Sequence, residues 1–307
     1  PSLSSSSPTT FYIWYNKSGE TQPAEDNAYG KENVWHLSFK MVQHMNQDPS
    51  GTAPQMIDST ANNNDGTSGG TMTTSDQVAG QVDGSLDFDG VDDYVDITSS
   101  DFDFTSATDE ISISAWVKTS TVIDALIISF RDSVNTSPVL DFQLGATGVG
   151  TEGVNTGKPS YTIRGDNGVG LTSGIGTNDL RDGNWHHVVM TIDSAKLISI
   201  YADGFFDVSE THGLTGTITT NSKWIGKESI NSSVIDEFLG LIDEVRISNV
   251  ARTEQWIATE YNNQSDVASF LTIGAEESLS VPATRSGGEN VKTRIKGGVI
   301  FKGGVRF

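Results

Sequence analysis

Along much of this chain apolar and polar residues alternate with a period of two. Ile111, Ile113, Ala115 and Val117 interleave with Ser112, Ser114, Trp116 and Lys118, as on a strand with one buried face. Further β runs are Tyr12 to Tyr15, Asp93 to Ile97, Val122 to Phe130, Val139 to Leu144, Tyr161 to Arg164, Trp185 to Ile192, Leu197 to Tyr201, Lys223 to Ile225 and Phe238 to Ile247. Gly, Asn, Asp and Ser turns separate them, at close to the spacing of a sandwich. Asp193-Ser194-Ala195-Lys196 predicts a hairpin between two of these runs, and Ala202-Asp203-Gly204 a second tight turn after it. Asp89-Gly90-Val91-Asp92 reads as a turn between two short strands. Helical spacing is confined to Arg252 to Asn262, where Ile257 and Tyr261 fall at i and i+4. Ala61 to Gly80, almost wholly Asn, Gly, Ser, Thr and Asp, predicts a long loop. The pattern predicts an all-β protein: two antiparallel sheets closing over Ile111, Val117, Val189 and Ile200, with one short helix and extended termini.

Composition narrows the chemistry. The 307 residues contain no cysteine, which excludes disulfide scaffolds, thiolate zinc sites and cysteine nucleophiles. The net charge of -21 argues against nucleic acid or an anionic membrane as a partner of the main body. No stretch reaches the roughly 18 apolar residues of a membrane span, since even Val122 to Phe130 carries Asp124, so membrane insertion is not expected. Pro1 to Thr10 lacks the basic and apolar parts of a secretory signal, which predicts a chain that is processed, cut from a longer one or exported another way. The acidic, cysteine-free composition, rich in Gly, Ser, Thr and Asn, suits a protein that works outside a cell. Pro282 to Phe307 carries six basic residues and one acid, so a positive tail follows a strongly acidic body. This Gly-rich basic ending resembles those on structural proteins of tailed viruses, which implies a virion surface as the other location.

Five segments carry a family resemblance. They are Ser85 to Ile97 (SLDFDGVDDYVDI), Ile111 to Val117 (ISISAWV), Asp182 to Val188 (DGNWHHV), Leu197 to Gly204 and Gly240 to Ile247 (GLIDEVRI). Their order resembles laminin-G-like jelly rolls of the concanavalin A-like lectin and glucanase superfamily. Val34-Trp35-His36-Leu37 and Ile57 to Thr67 resemble the opening strand and Asp/Asn/Gly loop of that domain, with Ser38 to Gln47 as an insertion. The resemblance implies a two-sheet antiparallel jelly roll that binds or presents rather than catalyses. It divides the chain into a Ser/Thr/Pro-rich start and partial β extension at 1–33, a jelly roll at 34–281 and a basic Gly-rich tail at 282–307.

Candidate chemistry is concentrated in carboxylates. Asp58, Asn63 and Asp65 lie in one turn-rich loop, and the resemblance places Asp243 on an adjacent strand. Hard cations take oxygen ligands, so Asp58, Asn63, Asp65 and Asp243 are the candidate ligands of a structural calcium. The alternative for these side chains is Asx turns and capping of backbone amides. Asp87, Asp89, Asp92, Asp93 and Asp96 form a second acidic cluster, read chiefly as packing. His186 and His187 are adjacent on a strand and point apart, which excludes joint chelation of zinc, and His187 is expected to satisfy a neighbouring backbone group. Catalytic residues are not expected: no Glu-x-Asp-x-x-Glu string occurs, and no Gly-x-Ser-x-Gly. Tyr161, Phe205, Phe206 and Trp224 are candidate aromatic platforms for a sugar. Lys296-Gly-Gly-Val299-Ile-Phe301 and Lys302-Gly-Gly-Val305-Arg-Phe307 repeat in tandem, so Lys296, Val299, Phe301, Lys302, Val305 and Phe307 are candidates for self-assembly by strand addition.

The expected function is a non-catalytic surface module that engages a glycan or a surface protein. A structural decoration or fibre subunit of a tailed-phage virion or extracellular filament is the alternative, and a glycosidase or lyase stands third.

Overall fold

The computed structural model describes Ala24 and residues 31–266, except 106–107, 122–124, 133–137, 146–155, 167–171, 215, 231–232 and 236. The chain divides into two units, Pro23–Tyr261 and a second made of Pro1–Gln22 with Asn262–Phe307. Of the second unit only residues 262–266 are described, so the expected strand at Tyr12 to Tyr15 and the basic tail lie outside the described residues.

Strands dominate the described unit. In chain order they are β1 (Phe39–Gln43), β2 (Thr67–Gly69), β3 (Gln77–Ala79), β4 (Gly84–Asp89), β5 (Tyr94–Asp96) and β6 (Ile111–Lys118). They continue with β7 (Ala125–Arg131), β8 (Val139–Leu144), β9 (Pro159–Arg164), β10 (Thr172–Ile175), β11 (His186–Ile192) and β12 (Leu197–Ala202). The last are β13 (Phe205–Thr211), β14 (Ser222–Ile225), β15 (Glu228–Ile230), β16 (Ser233–Ile235) and β17 (Leu239–Ser248), followed by helix α1 (Glu254–Ser265). One sheet of eight strands runs β13-β12-β11-β6-β17-β4-β3, with β1 also paired to β17. A second, of seven, runs β10-β9-β8-β7-β14-β5-β2, and β15 and β16 form a hairpin of their own. The pairings between strands are antiparallel, and the two sheets make the sandwich of a jelly roll.

The period of two explains the core. Ile113, Val117, Met190 and Ile200 from the larger sheet meet Phe130, Leu140, Phe142 and Ile163 from the smaller one in a single apolar cluster. Phe102 stacks on Phe130 with ring centres 5.9 Å apart. Ile111, Val117 and Ile200 belong to this cluster as expected, but Val189 does not. Its place in β11 puts it on the opposite face, where it packs with Tyr201 and Ile257 of α1. Trp116 stacks on Tyr261 of the same helix at 5.6 Å. The amphipathic spacing of α1 thus covers the outside of the larger sheet. Gly204 closes the turn before β13 at φ +79, and a Cβ there would meet the Tyr261 ring at 2.9 Å.

Three expectations are corrected. The opening strand is β1, inside the stretch read as an insertion; Met41 and Val42 are fully buried, whereas Val34 and Leu37 are exposed at a turn. Ala61 to Gly80 is not one long loop, because its short β2 and β3 segments pair with β5 and β4. The Asp89–Asp93 turn does not join hairpin partners: β4 belongs to the larger sheet and β5 to the smaller, so it is a corner between the layers.

Candidate functional site

A polar cleft of about 360 Å³ opens where β1, β6 and β17 meet the segments 101–104 and 109–110. Asp101, Asp103, Asp109 and Glu110 line it, with Lys40 and Asn249. Each carboxylate is held by the fold. Asp101 accepts from the Asn64 amide at 3.1 Å. Asp103 pairs with the buried Lys223 ammonium at 2.8 Å. Asp109 accepts from the Thr105 main chain at 2.7 Å and Glu110 from the Ala251 main chain at 3.1 Å. The volume is that of a small-ligand site, but the walls are acidic rather than apolar. Carboxylates fixed in this way are acceptors, suited to hydroxyl or ammonium groups and unsuited to anions. No sequence motif marked this cleft; its acids come from two short segments, 101–103 and 109–110.

The structure does not bring the four expected calcium ligands together. Asp58 is buried, and its oxygens accept from the Val42 and Thr60 main chain, the Thr60 hydroxyl and the Asn64 main chain at 2.7–3.0 Å. Asp65 accepts from the Asp58 main chain at 2.8 Å. Asn63 is exposed, at φ +55. These are the bonds of a self-capped loop. Asp243 lies elsewhere, under the turn before β4, where its Oδ2 accepts from the Val82 main chain at 2.8 Å. The carboxylates of Asp58, Asp65 and Asp243 do not form a group within 4.8 Å. Burial, chiefly, pushes Asp243 up to about 7, and its Oδ1 has no hydrogen-bond partner among the described residues.

A register break between Asp243 and Arg246 puts Glu244 at φ +50 and buries both acids, so the simple strand picture of alternating faces fails there. Glu244 meets His44 at 2.5 Å and also Arg246, which pairs with Glu260 of α1 at 2.7 Å. His186 and His187 do point apart. His186 sits between Asp203 at 2.8 Å and Asp182 at 3.0 Å, and the Asp203 hydrogen bond raises its pKa. His187 is buried 5.2 Å from the Trp116 ring, and burial drives it down to about 4. Its Nδ1 is without a partner among the described residues, so the expected bond to backbone is not made by that nitrogen.

Of the four candidate aromatics, Tyr161 is a core residue of β9 and Trp224 is 8% exposed, whereas Phe205 and Phe206 are 74% and 49% exposed beside the β12–β13 turn. Trp224 belongs to a register row on the face of the smaller sheet that points away from the core. Across adjacent strands this row reads Thr162, Asp141, Ser129, Trp224 and Asp96. Ser129 donates to Asp141 at 2.7 Å, and Arg131 bridges Asp141 to Glu228. Two carboxylates that share one guanidinium form a structural ion cluster rather than an acid and base flanking a bond. The candidate assembly residues Lys296 to Phe307 lie outside the described residues.

Residues 89–258 match the Laminin_G_3 family, described as the concanavalin A-like lectin/glucanases superfamily. The chain belongs to this family. No curated protein matches its sequence. Among solved structures, the binding domain of Paraclostridial Mosquitocidal Protein 1 is similar with a TM-score of 0.54 at 12% identity, covering 77% of this chain and 54% of that one. The binding domain of botulinum neurotoxin serotype G gives a TM-score of 0.52 at 14% identity, covering 76% and 53%. That of serotype D gives 0.51 at 13%, covering 80% and 55%. The chain therefore spans about half the length of these three solved structures, and at these identities the likeness is one of fold. No helix among the described residues is long and apolar enough to cross a membrane.

Proposed function

We propose that this family member is a non-catalytic binding module, working outside the cell, for a neutral glycan or a basic protein surface. The acidic cleft carries the reading. Its carboxylates are preset as acceptors by main-chain amides and Lys223, on a body whose own negative charge repels anionic partners. The binding domains similar to this chain in fold support a recognition role. Rigid acceptors placed before the ligand arrives lower the ordering cost of binding hydroxyls.

A glycan array probed with the full chain, followed by calorimetry on the best neutral sugar, tests this. Asp101→Ala and Asn249→Ala are expected to weaken binding by about tenfold each, a loss of about 1.4 kcal/mol, with the melting midpoint unchanged. Silence toward neutral glycans and basic proteins alike, or binding indifferent to both substitutions, would remove the cleft from consideration.

The tandem Lys-Gly-Gly-Val-x-Phe repeat supports a second role, self-assembly or docking on a larger particle. Size-exclusion of the whole chain against one ending at Ser280 tests it: oligomers present in the first and lost in the second are expected, and identical elution would end the idea.

A further inference from the structure

The corner between the two layers holds an unusual concentration of negative charge. Asp89, Asp92 and Asp93 bring one carboxylate oxygen each to within 4.8 Å of one another. Asp76 and Asp87 add to the field: Asp76 acts on both Asp87 and Asp93, and Asp89 acts on Asp87. Carboxylates at such distances repel, and the fold holds them there with hydrogen bonds that use one oxygen of each. Asp89 Oδ1 accepts from the Val91 and Asp92 main chain at 2.8 and 3.2 Å. Asp92 Oδ1 accepts from the Thr71 main chain and hydroxyl at 2.9 and 3.0 Å. Asp93 Oδ2 accepts from the Asp89 main chain at 3.1 Å.

The decisive observation is the other oxygen of Asp93. This residue is 3% exposed, and its Oδ1 is buried with no hydrogen-bond partner among the described residues. The Asp93 carboxylate contributes one oxygen to the group formed with Asp89 and Asp92. A buried carboxylate oxygen left without a donor is strongly disfavoured unless a cation or proton answers it. Lys227 acts electrostatically on Asp92, but its ammonium rests over the Tyr94 ring at 3.0 Å, and among the described residues it makes no ion pair with Asp93. The corner is built from a turn with Gly90 at φ +70, which leaves irregular backbone beside the three carboxylates.

We propose that Asp89, Asp92 and Asp93 hold a hard divalent cation at the corner between the sheets, with calcium the best fit. Oxygen-only ligands exclude soft metals, and calcium tolerates the irregular geometry of a turn better than the strictly octahedral magnesium. A cation there would tie β4 of one sheet to β5 of the other, at the end of the sandwich where the chain changes layer. The site is separate from the acidic cleft and stands or falls independently of it.

The test uses the full chain, stripped with chelator and titrated with calcium, and with terbium as its luminescent stand-in, sensitised by Tyr94 beside the site. Expected are one equivalent of calcium bound with a dissociation constant in the range of about 0.1–1 mM, and a melting midpoint that rises with calcium. Asp93→Asn should weaken binding by about tenfold or more while circular dichroism stays that of the parent. Asp92→Asn, whose residue is partly exposed, reads the same effect should Asp93→Asn fail to fold. Asp58→Asn should keep the terbium signal. No binding up to about 10 mM calcium, equal binding by the parent and both corner variants, or loss of binding only in Asp58→Asn would each overturn the proposal.

Discussion

Asp58 and Asp243 are both buried, both were expected to grip the same ion, and their side chains end in opposite conditions. Asp58 accepts four hydrogen bonds from its own loop and from β1, so its charge is answered in place. Asp243 has backbone amides, Val82 among them, on one oxygen and no partner on the other among the described residues, and burial holds its proton on to about pH 7. The number of acids in a segment therefore says little about its appetite for a cation; what counts is how many donors the backbone already aims at each oxygen.

The largest expected effect breaks the satisfied member. Asp58→Ala leaves three main-chain donors of Val42, Thr60 and Asn64 without their acceptor. At about 1–3 kcal/mol for each buried donor, urea denaturation should show a loss of about 5 kcal/mol. A loss under about 1 kcal/mol would erase the contrast.

Asp243 should behave the other way. Its folded pKa of about 7 exceeds the 3.8 of an ordinary aspartate, so between those values the folded chain keeps a proton that the unfolded chain has released. This group favours folding at low pH, and that contribution is lost as pH rises toward about 7, by about 4 kcal/mol at about 1.4 kcal/mol per unit. In Asp243→Asn that downward slope disappears, and above pH 7 the variant is the more stable of the two. Parallel slopes for parent and variant would contradict the assignment.

His187 supplies the opposite sign from under α1. Its pKa falls from 6.5 to about 4 on burial, so acidification from pH 6.5 toward 4 protonates the unfolded chain first and destabilises the fold by about 3 kcal/mol. His187→Phe should blunt this acid limb in denaturation midpoints taken across that window. An unchanged acid limb would count against it.

Phe205→Ser is the smallest. Phe205 is 74% exposed, so its replacement should alter stability by no more than about 0.5 kcal/mol and leave glycan binding at the cleft untouched. A large loss of sugar affinity would move the recognition surface from the cleft to the β12–β13 turn.

Much of the fold was legible before any coordinates. The alternation in Ile111 to Val117 became β6, the Asp193–Lys196 turn joins β11 to β12, and Ile257 and Tyr261 face the sheet from one helix. Where the reading failed, the missing information was about neighbours. Period two shows that His187 and Val189 share a face of β11, but not that α1 covers that face, which is why Val189 was placed in the wrong cluster. Likewise Phe39 to Gln43 became a strand through pairing with β17, whose residues lie some 200 positions away.

The candidate sites follow the same division. Residue type and order along the chain determined that there would be strands, turns rich in carboxylates, no thiol chemistry and a family likeness spread over the jelly roll. Which carboxylates would be answered was settled by packing: Asp58 by amides of its loop, Asp103 by Lys223, Asp141 by Arg131, and Asp93 on only one of its two oxygens among the described residues. Hydrogen bonds and charge pairs act over about 3–4 Å, and that distance between residues far apart in sequence exists only after the two sheets have closed.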